Sequence, residues 1–367
     1  MTDLQIQLDD LKGVYSPGQW VTGKVILQAK EPIKTRFLKV CIGGGACVCI
    51  KTPNMTYQSA VNYLEGESLA WVSQDGSNKI PAGTNLFPFS FEIPPNCPPS
   101  YEGGFACVRY VVRVELDRAW DFNKRSRRFF TIIPTFDLSK IPTAIAPMEN
   151  SVSKKINGIF SKKGEISMTA KIPKSGFVPG ELIPITLQID NKSKSPIVKL
   201  RAKIHQFSHI YTDKGAPGVP RTGVQKHIEQ HLAESMKVIN IAPGVKEQVF
   251  ISIAVPPISP SFECPIISVN HSVSVKIDNG SELKCDFPIV IGTVPLITVP
   301  ESDSPPAYGA VPPIPIVLAP SYELYVGGPA QFLGDVELFA PFYPVFHGLE
   351  QFTQNAMEQE TSTVERL

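Results

Sequence analysis

The amino-acid sequence predicts an all-β protein with two tandem β-sandwich domains and a carboxy-terminal tail. The first observation is an internal repeat in the 367-residue chain. Phe89–Pro95 returns as Ile251–Pro257, and the first proline of each Pro-Pro pair is displaced by 256 − 94 = 162 residues. Val112–Asp117 returns as Val273–Asp278, displaced by 273 − 112 = 161 residues. A period of this length is too long for a solenoid unit and indicates a duplicated whole domain.

The second observation is the alternation of apolar and polar residues within the repeated segments. Val112, Val114 and Leu116 would face a core, whereas Arg113 and Glu115 between them would face water. Alternation with a period of two is typical of half-buried strands. The 35 prolines disfavour long helices and suit turns. Many short antiparallel strands separated by turns predict β-sandwiches.

Composition divides the chain into four segments. We predict a first sandwich over residues 1–140, a proline- and lysine-rich linker over 141–164, a second sandwich over 165–299 and a tail over 300–367. Residues 301–367 carry one basic and nine acidic side chains, a net charge of 1 − 9 = −8. This imbalance and the tail prolines predict flexibility up to a phenylalanine-rich segment, 332–352. The segment 225–237 has some helical spacing, but the rest of its copy is strand, so we expect loop and strand there.

Motifs of catalysis and cofactor binding are missing from the sequence. It has no G-x-S-x-G, G-x-x-x-x-G-K-S/T or H-E-x-x-H pattern, so we expect neither an enzyme nor a cofactor. The pairs His205/His209 and His227/His231 would align two ligands only on a helix, and their surroundings are strand-like, so we expect no metal. The seven cysteines lack paired C-x-x-C spacing, and we expect buried, reduced thiols.

The sequence predicts neither a signal peptide nor a membrane-spanning segment. Its amino terminus has no basic stretch followed by an apolar run, and no apolar run approaches about 18 residues. We therefore expect a soluble, cytoplasmic protein. We expect no nucleic-acid partner, because the two domains are only mildly basic and lack an array of aromatic residues for base stacking.

Several motifs together resemble those of arrestin domains. The stretches that resemble an arrestin amino-terminal domain are Tyr15–Gly18, Val21–Val25, Phe87–Phe91 and Arg109–Trp120. Gly176–Glu181 and Ile189–Ser193 resemble the start of an arrestin carboxy-terminal domain. The resemblance covers about residues 4–299 and is closer to the α-arrestins, the arrestin-domain-containing proteins, than to the receptor-binding arrestins. It implies two immunoglobulin-like β-sandwiches.

The tail contains the sequence Ser304-Pro305-Pro306-Ala307-Tyr308. A Pro-Pro-x-Tyr peptide forms a polyproline II turn whose prolines pack in the aromatic groove of a WW domain, while the tyrosine fills a second pocket. Because two prolines lose little conformational entropy on binding, so short a peptide suffices. We predict that Pro305, Pro306 and Tyr308 bind a WW domain; a spacer without a partner is the alternative.

Two other sequences resemble this motif. In Ala319-Pro320-Ser321-Tyr322, alanine replaces the first proline, so we expect Pro320 and Tyr322 to form a weaker WW site that acts mainly through avidity. Pro98-Pro99-Ser100-Tyr101 matches fully, but it lies between two predicted strands and corresponds to Pro260-Ser261-Phe262 in the second copy. We expect that this sequence serves the sandwich and does not bind a ligase.

A basic run, Lys124, Arg125, Arg127 and Arg128, lies at a predicted hairpin of the first domain. With the linker lysines it could contact acidic phospholipid headgroups or phosphorylated cargo tails. A solvated hairpin is the alternative, and the sequence favours neither.

The phenylalanine-rich segment 332–352 also leaves two alternatives. It could dock on a sandwich edge as a strand, or it could hold a trafficking motif. The sequence does not decide between them.

The resemblance to α-arrestins implies a non-enzymatic adaptor. The two sandwiches would bind transmembrane cargo or receptor tails, and the tail would recruit a WW-domain, HECT-type ubiquitin ligase that promotes ubiquitination, endocytosis and sorting. Such an adaptor would be cytoplasmic and peripheral at the plasma membrane and endosomes. The alternative is a retromer-like or receptor-signalling scaffold of the same fold without ligase coupling.

Overall fold

The computed structural model describes residues 2–73, 76–118, 123–157, 162–212, 223–278, 282–296, 321–326 and 338–349. Within these residues the chain forms two β-sandwiches and one short hairpin, and helix is confined to the segment between the sandwiches. The predicted all-β fold is confirmed. In the described part of the chain, no helix is long and apolar enough to cross a membrane.

The first sandwich packs a three-stranded sheet on a seven-stranded sheet. Its strands are β1 (Asp3–Leu8), β2 (Val14–Tyr15), β3 (Trp20–Ala29), β4 (Ile33–Lys51), β5 (Thr56–Val72), β6 (Lys79–Ile80), β7 (Gly83–Glu92), β8 (Tyr101–Glu102), β9 (Ala106–Arg118) and β10 (Lys124–Ile132). The smaller sheet has the order β1-β3-β7. The larger sheet has the order β2-β10-β9-β4-β5, with β6 paired to β4 and β8 paired to β9.

The second sandwich repeats the strand order of the larger sheet and has one more strand, β11, in the smaller sheet. Its strands are β11 (Met148–Asn157), β12 (Lys162–Ile172), β13 (Gly176–Phe177), β14 (Leu182–Asn191), β15 (Ile197–Thr212), β16 (Val224–Ile241), β17 (Lys246–Ala254), β18 (Phe262–Cys264), β19 (Ile267–Asp278) and β20 (Glu282–Ile291). Its sheets have the orders β11-β12-β14-β17 and β13-β20-β19-β15-β16, with β18 paired to β19. The second of these orders matches β2-β10-β9-β4-β5 strand for strand, so the sequence repeat is a repeat of topology.

Alternation places the apolar side chains between the sheets in both copies. On β9, Val112, Val114 and Leu116 are buried, while Arg113 is exposed. The core also explains a glycine in the middle of β4. A Cβ at Gly44 would lie 2.3 Å from the Tyr110 ring, which is fully buried. The run of three glycines is therefore part of a strand that packs against an aromatic side chain.

The second sandwich begins earlier than the sequence predicts. Residues 148–157, inside the predicted linker 141–164, form β11, which pairs antiparallel with β12 at the edge of the smaller sheet. Lys154 and Lys155 are exposed there, and lysines on an edge strand discourage pairing with other chains. The connection before β11 holds a 3-10 helix, Leu138–Lys140, and one turn of α-helix, α1 (Pro142–Ile145).

The two sandwiches meet along a seam that is apolar and hydrogen-bonded. The Tyr101 hydroxyl lies 2.8 Å from Ser208 Oγ, and the Tyr101 ring packs against Phe262 with centroids 5.7 Å apart. Tyr101 is only 3% exposed. Four apolar residues of the second sandwich belong to the same buried cluster as the core of the first: Ile210, Ile266, Ile267 and Val269. The seam therefore joins the two cores.

Hydrogen bonds of the Thr293 backbone and side chain reinforce the seam where the chain leaves each sandwich. The Phe136 N–H donates to Thr293 Oγ1 (2.7 Å), and the Thr293 N–H donates to the Phe136 carbonyl oxygen (3.0 Å). The Thr293 hydroxyl donates to the Pro134 carbonyl oxygen (2.8 Å). The end of the second domain is thus bound to the end of the first.

The tail contributes a two-stranded hairpin to the described structure. Its strands are β21 (Tyr322–Val326) and β22 (Phe342–Phe346). They pair antiparallel, with Tyr322 opposite Phe346. This hairpin contains one of the predicted WW-binding tyrosines.

We expect Tyr101→Phe to lower the free energy of unfolding by about 1–3 kcal/mol, because the buried Ser208 hydroxyl loses its phenolic partner. Urea unfolding measures the change. The control is Tyr211→Phe, at a half-exposed tyrosine of β15, which should change stability by less than about 0.5 kcal/mol. If the two variants are equally stable, the seam hydrogen bond does not contribute as described.

The imidazole of His271 on β19 is buried, and its Nδ1 lies 3.0 Å from Ser261 Oγ. Burial lowers the pKa of the His271 imidazole to about 3, below the unfolded value of about 6.5. Below about pH 6.5 the unfolded chain therefore binds a proton that the folded chain does not. Stability should fall by about 1.4 kcal/mol for each pH unit from about pH 6.5 towards pH 3.

The measurement is urea unfolding of wild type and His271→Gln at pH 7 and pH 5. Wild type should lose about 2 kcal/mol more than the variant over this interval, since glutamine does not titrate. An equal loss in both proteins would show that His271 does not supply the pH dependence.

Candidate functional site

The predicted WW-binding residues divide between two parts of the tail. Pro305, Pro306, Tyr308 and Pro320 lie outside the described residues. Tyr322 is the first residue of β21 and pairs with β22. The tyrosine of the incomplete sequence therefore belongs to a strand.

The second strand of the hairpin contacts both sandwiches. The Phe342 N–H donates to Thr131 Oγ1 of the first sandwich (3.2 Å). Four residues later, the Phe346 N–H donates to the Pro179 carbonyl oxygen of the second sandwich (2.9 Å). We call β21 and β22 together the docked hairpin. It lies across the seam and is bonded on both sides of it.

Aromatic side chains of the docked hairpin are buried beneath it. Tyr343 is 4% exposed, and its hydroxyl donates to the Ser100 carbonyl oxygen (3.0 Å). Burial raises the pKa of the Tyr343 phenol well above its ordinary value, so the group stays a neutral donor. One buried cluster joins the 3-10 helix, α1 and the residue after β13 to the tail: Leu138, Ala144, Val178, Phe346 and Leu349.

Gly180 provides the space in which β22 docks. Its backbone φ of +92° is one that residues with a side chain rarely adopt. A Cβ at this position would lie 2.2 Å from the Phe346 carbonyl oxygen. Both the backbone conformation and the close approach of the hairpin therefore require glycine. In the sequence, Gly180 is part of the motif Gly176–Glu181, which gives no indication of this contact with the tail.

The docked hairpin corrects the predicted flexibility of the tail. Residues 322–326 precede the phenylalanine-rich segment, yet they form β21 because their pairing partner, 342–346, is anchored to the seam. For the described part of 332–352, docking as a strand is the alternative that the structure supports. Residues 332–337 and 350–352 lie outside the described part.

Tyr322 is exposed but not structurally independent. Its side chain is 58% exposed, and its ring lies against Phe346 with centroids 5.5 Å apart. A WW groove binds the polyproline II conformation, whereas Tyr322 is in a paired strand. Binding at this tyrosine would therefore require local separation of β21 from β22.

The residues of the complete Pro-Pro-Ser-Tyr sequence in the first domain, 98–101, make contacts within the fold. The Pro98 carbonyl oxygen accepts from the Tyr110 hydroxyl (2.8 Å), and the Ser100 carbonyl oxygen accepts from Tyr343. Tyr101 is held at the seam. This arrangement supports the expected structural role, because none of these backbone and side-chain groups is free to enter a WW groove.

The predicted basic run does not form one continuous patch. Lys124, Arg125, Arg127 and Arg128 all lie on β10, where successive side chains point to opposite faces. Arg125 and Arg127 therefore share a face that Lys124 and Arg128 do not. Arg125 Nη2 lies 2.8 Å from Glu115 Oε1, and its hydrogen bonds lower the pKa of that carboxyl group.

The four histidines noted in the sequence form cross-strand pairs. His209 Nδ1 lies 2.5 Å from His227 Nδ1, and the His205 ring centroid lies 5.9 Å from that of His231. Among the residues that the structure describes, no group of three or more His, Cys, Asp or Glu side chains could hold a metal ion.

We expect Gly180→Ala to release β22, because the added Cβ would overlap the Phe346 carbonyl oxygen. Amide hydrogen exchange of Phe342–Phe346 should become faster than in wild type. The control is Gly244→Ala, which has a similar φ of +78° but open space around the Cβ, so it strains the backbone without touching the hairpin. Faster exchange of β22 in both variants, or in neither, would contradict the described docking.

Comparisons with known proteins agree with the two sandwiches. A family model for the arrestin (or S-antigen) N-terminal domain matches residues 4–139, and one for the arrestin C-terminal domain matches residues 162–296. Arrestin domain-containing protein 4 of Mus musculus is 29% identical over 304 residues, which cover 78% of this chain and 70% of that protein. The Homo sapiens protein of the same name has the same identity and coverage.

A relative from Caenorhabditis elegans, arrestin domain-containing protein 17, is 27% identical over 316 residues, which cover 80% of this chain and 71% of that protein. The matched family models together span both sandwiches and most of the chain. The chain belongs to the arrestin family, and within it to the arrestin domain-containing proteins, or α-arrestins, which are adaptor-type proteins.

Proposed function

We propose that this α-arrestin is a non-enzymatic adaptor that links membrane cargo to a WW-domain, HECT-type ubiquitin ligase. Recruitment of the ligase would lead to ubiquitination, endocytosis and sorting of the cargo at the plasma membrane and endosomes. The observation that carries this proposal is the sequence Pro305-Pro306-Ala307-Tyr308, which follows shortly after the second arrestin domain. An arrestin-domain adaptor with such a tail has one part for cargo and another for the ligase.

The fold supports the choice of Tyr308 among the three candidate tyrosines. Tyr101 is buried at the seam, and Tyr322 is paired with Phe346 in the docked hairpin. The sequence 305–308 has both prolines and follows the residues that the two arrestin-domain models match. We therefore assign the main WW contact to Pro305, Pro306 and Tyr308, and a minor one to Pro320 and Tyr322.

We place the contact with cargo on the outer face of the larger sheet of the first sandwich. Arg113 and Arg127 line a cavity of 580 Å³ on this face. Guanidinium groups suit the phosphate groups of a phosphorylated cargo tail or of an acidic lipid headgroup. Of the predicted basic run, Arg127 lies at this cavity, and Arg125 is on the same face of β10.

We expect Tyr308→Ala to weaken the binding of a recombinant WW domain to the full chain roughly thirtyfold. The phenol is a buried anchor in such complexes, and its loss costs about 2 kcal/mol. Tyr322→Ala should have a smaller effect, because its site lacks one proline and must first leave the hairpin. Isothermal titration against one WW domain of a HECT-type ligase measures each affinity.

The matched control is Tyr325→Ala, at an exposed tyrosine of the docked hairpin. None of the three residues before Tyr325 is a proline. It should leave the affinity for the WW domain unchanged. An unchanged affinity of Tyr308→Ala would refute the assignment of the tail motif. A wild-type chain that binds no WW domain from a panel of HECT-type ligases would favour the scaffold without ligase coupling.

A further inference from the structure

Three cysteines lie together on the outer face of the first sandwich. Cys47 and Cys49 are on β4, and Cys107 is on β9, directly opposite Cys47 in the antiparallel register. Cys49 and Cys107 are each 2% exposed, whereas Cys47 is partly exposed and packs against them. The pairing of β4 with β9 brings Cys107 to a partner that is distant in sequence.

A solute can reach this pair through the cavity of 580 Å³, which Cys47, Cys107 and Arg109 line together. Gly43 and Gly45 lie on the same face of β4 as Cys47 and place no side chains in the cavity. The entrance to the cavity is therefore polar at Arg109, and no side chains of Gly43 or Gly45 obstruct it along β4. It suits a small polar molecule.

The pKa values of the two thiols are shifted in opposite directions. The neighbouring Cys107 thiol and the charge of Arg109 lower the pKa of the Cys47 thiol. The Cys47 thiol and burial raise the pKa of the Cys107 thiol well above its ordinary value. Of the two thiols, Cys47 therefore loses its proton more readily and is the nucleophile of the pair.

Arg109 is fixed in place beside the thiols. Its Nε and Nη2 donate to the two carboxylate oxygens of Glu102, at 2.5 and 2.9 Å, and both side chains are buried. Its guanidinium also lies 5.6 Å from the centre of the Phe129 ring. A bidentate ion pair restricts rotation of the guanidinium, so the positive charge stays next to Cys47.

We propose that Cys47 and Cys107 form a peroxide-sensitive thiol pair that is reversibly oxidised to a cross-strand disulfide. The Cys47 thiolate attacks one oxygen of hydrogen peroxide, the O–O bond breaks, and the leaving hydroxide takes a proton to become water. Cys47 is then a sulfenic acid. The Cys107 sulfur attacks it, the S–O bond breaks, and hydroxide leaves with the Cys107 proton as a second water. Two thiols are oxidised and one peroxide is reduced.

The strand geometry indicates a disulfide that is easily reduced. The Cys49 N–H donates to the Phe105 carbonyl oxygen (2.8 Å), which marks a hydrogen-bonded pair of the ladder. Hydrogen-bonded and non-hydrogen-bonded residue pairs alternate along an antiparallel ladder. Cys47 and Cys107 lie two positions away in the same register, so they also form a hydrogen-bonded pair, with Cα atoms about 5.5 Å apart. Directly opposite Cβ atoms are about 4.5–5.5 Å apart, wider than the roughly 3.5–4.5 Å of a relaxed disulfide. A strained disulfide is labile and suits reversible oxidation.

The test treats the full chain with a small molar excess of hydrogen peroxide at pH 7. Remaining thiols are blocked, and peptide mass spectrometry identifies the linked residues. We expect a Cys47–Cys107 linkage that dithiothreitol reverses. Before oxidation, iodoacetamide should alkylate Cys47 at least about tenfold faster than Cys41, which lines the same cavity but has a raised pKa because of burial.

Variants separate the two roles and provide the control. Cys107→Ser should leave Cys47 as a sulfenic acid that dimedone labels, and Cys47→Ser should abolish oxidation of Cys107. Cys41→Ser should form the linkage as wild type does. Thermal unfolding confirms that each variant is folded. Equal oxidation of Cys41 and Cys47, a linkage through Cys49, or no linkage in a folded wild-type chain would overturn the proposal.

Discussion

The seam between the two sandwiches is the interaction on which the rest of the structure depends. Apolar side chains of the second domain complete the buried cluster of the first, and Tyr101 bonds to Ser208 at its centre. The docked hairpin lies over this seam, where Phe342 and Phe346 bond to opposite domains. Separating the domains would remove the surface on which the hairpin docks. It would also expose the apolar side chains of the seam, and burial of such side chains is the dominant favourable term in folding.

This arrangement bears on the choice among the three candidate tyrosines. Three sequences in the chain resemble a WW ligand, and a short motif alone does not distinguish among them. Folding commits Tyr101 to the seam and Tyr322 to a strand. The sequence Pro305–Tyr308 carries the complete motif and follows the second arrestin domain in the chain, which is why we propose that it recruits the ligase. In this proposal the larger sheet of the first sandwich binds cargo, and the proposed thiol pair on the same face acts independently of ligase recruitment.

Much of the fold could be predicted because its signals are local or repeated. Alternation along β9 and the duplicated segments identified the strands and the two domains. Lys154 and Lys155 were misleading, since lysines suit an exposed edge strand as well as a linker. The spacing of Ile228, Leu232 and Met236 resembles a helix, but pairing with β15 makes this segment a strand, as expected. The sequence left docking of the phenylalanine-rich segment as one of two alternatives. The pairing of β21 with β22 and the contact between Cys47 and Cys107 were not predicted, because each depends on a partner distant in sequence.

The most direct test of the joined sandwiches is differential scanning calorimetry of the full chain. If the seam and the docked hairpin couple the domains, both sandwiches should unfold in one cooperative transition, with calorimetric and van't Hoff enthalpies that agree. Two resolved transitions, or a calorimetric enthalpy about twice the van't Hoff value, would show that the domains unfold independently and would contradict the central role of the seam.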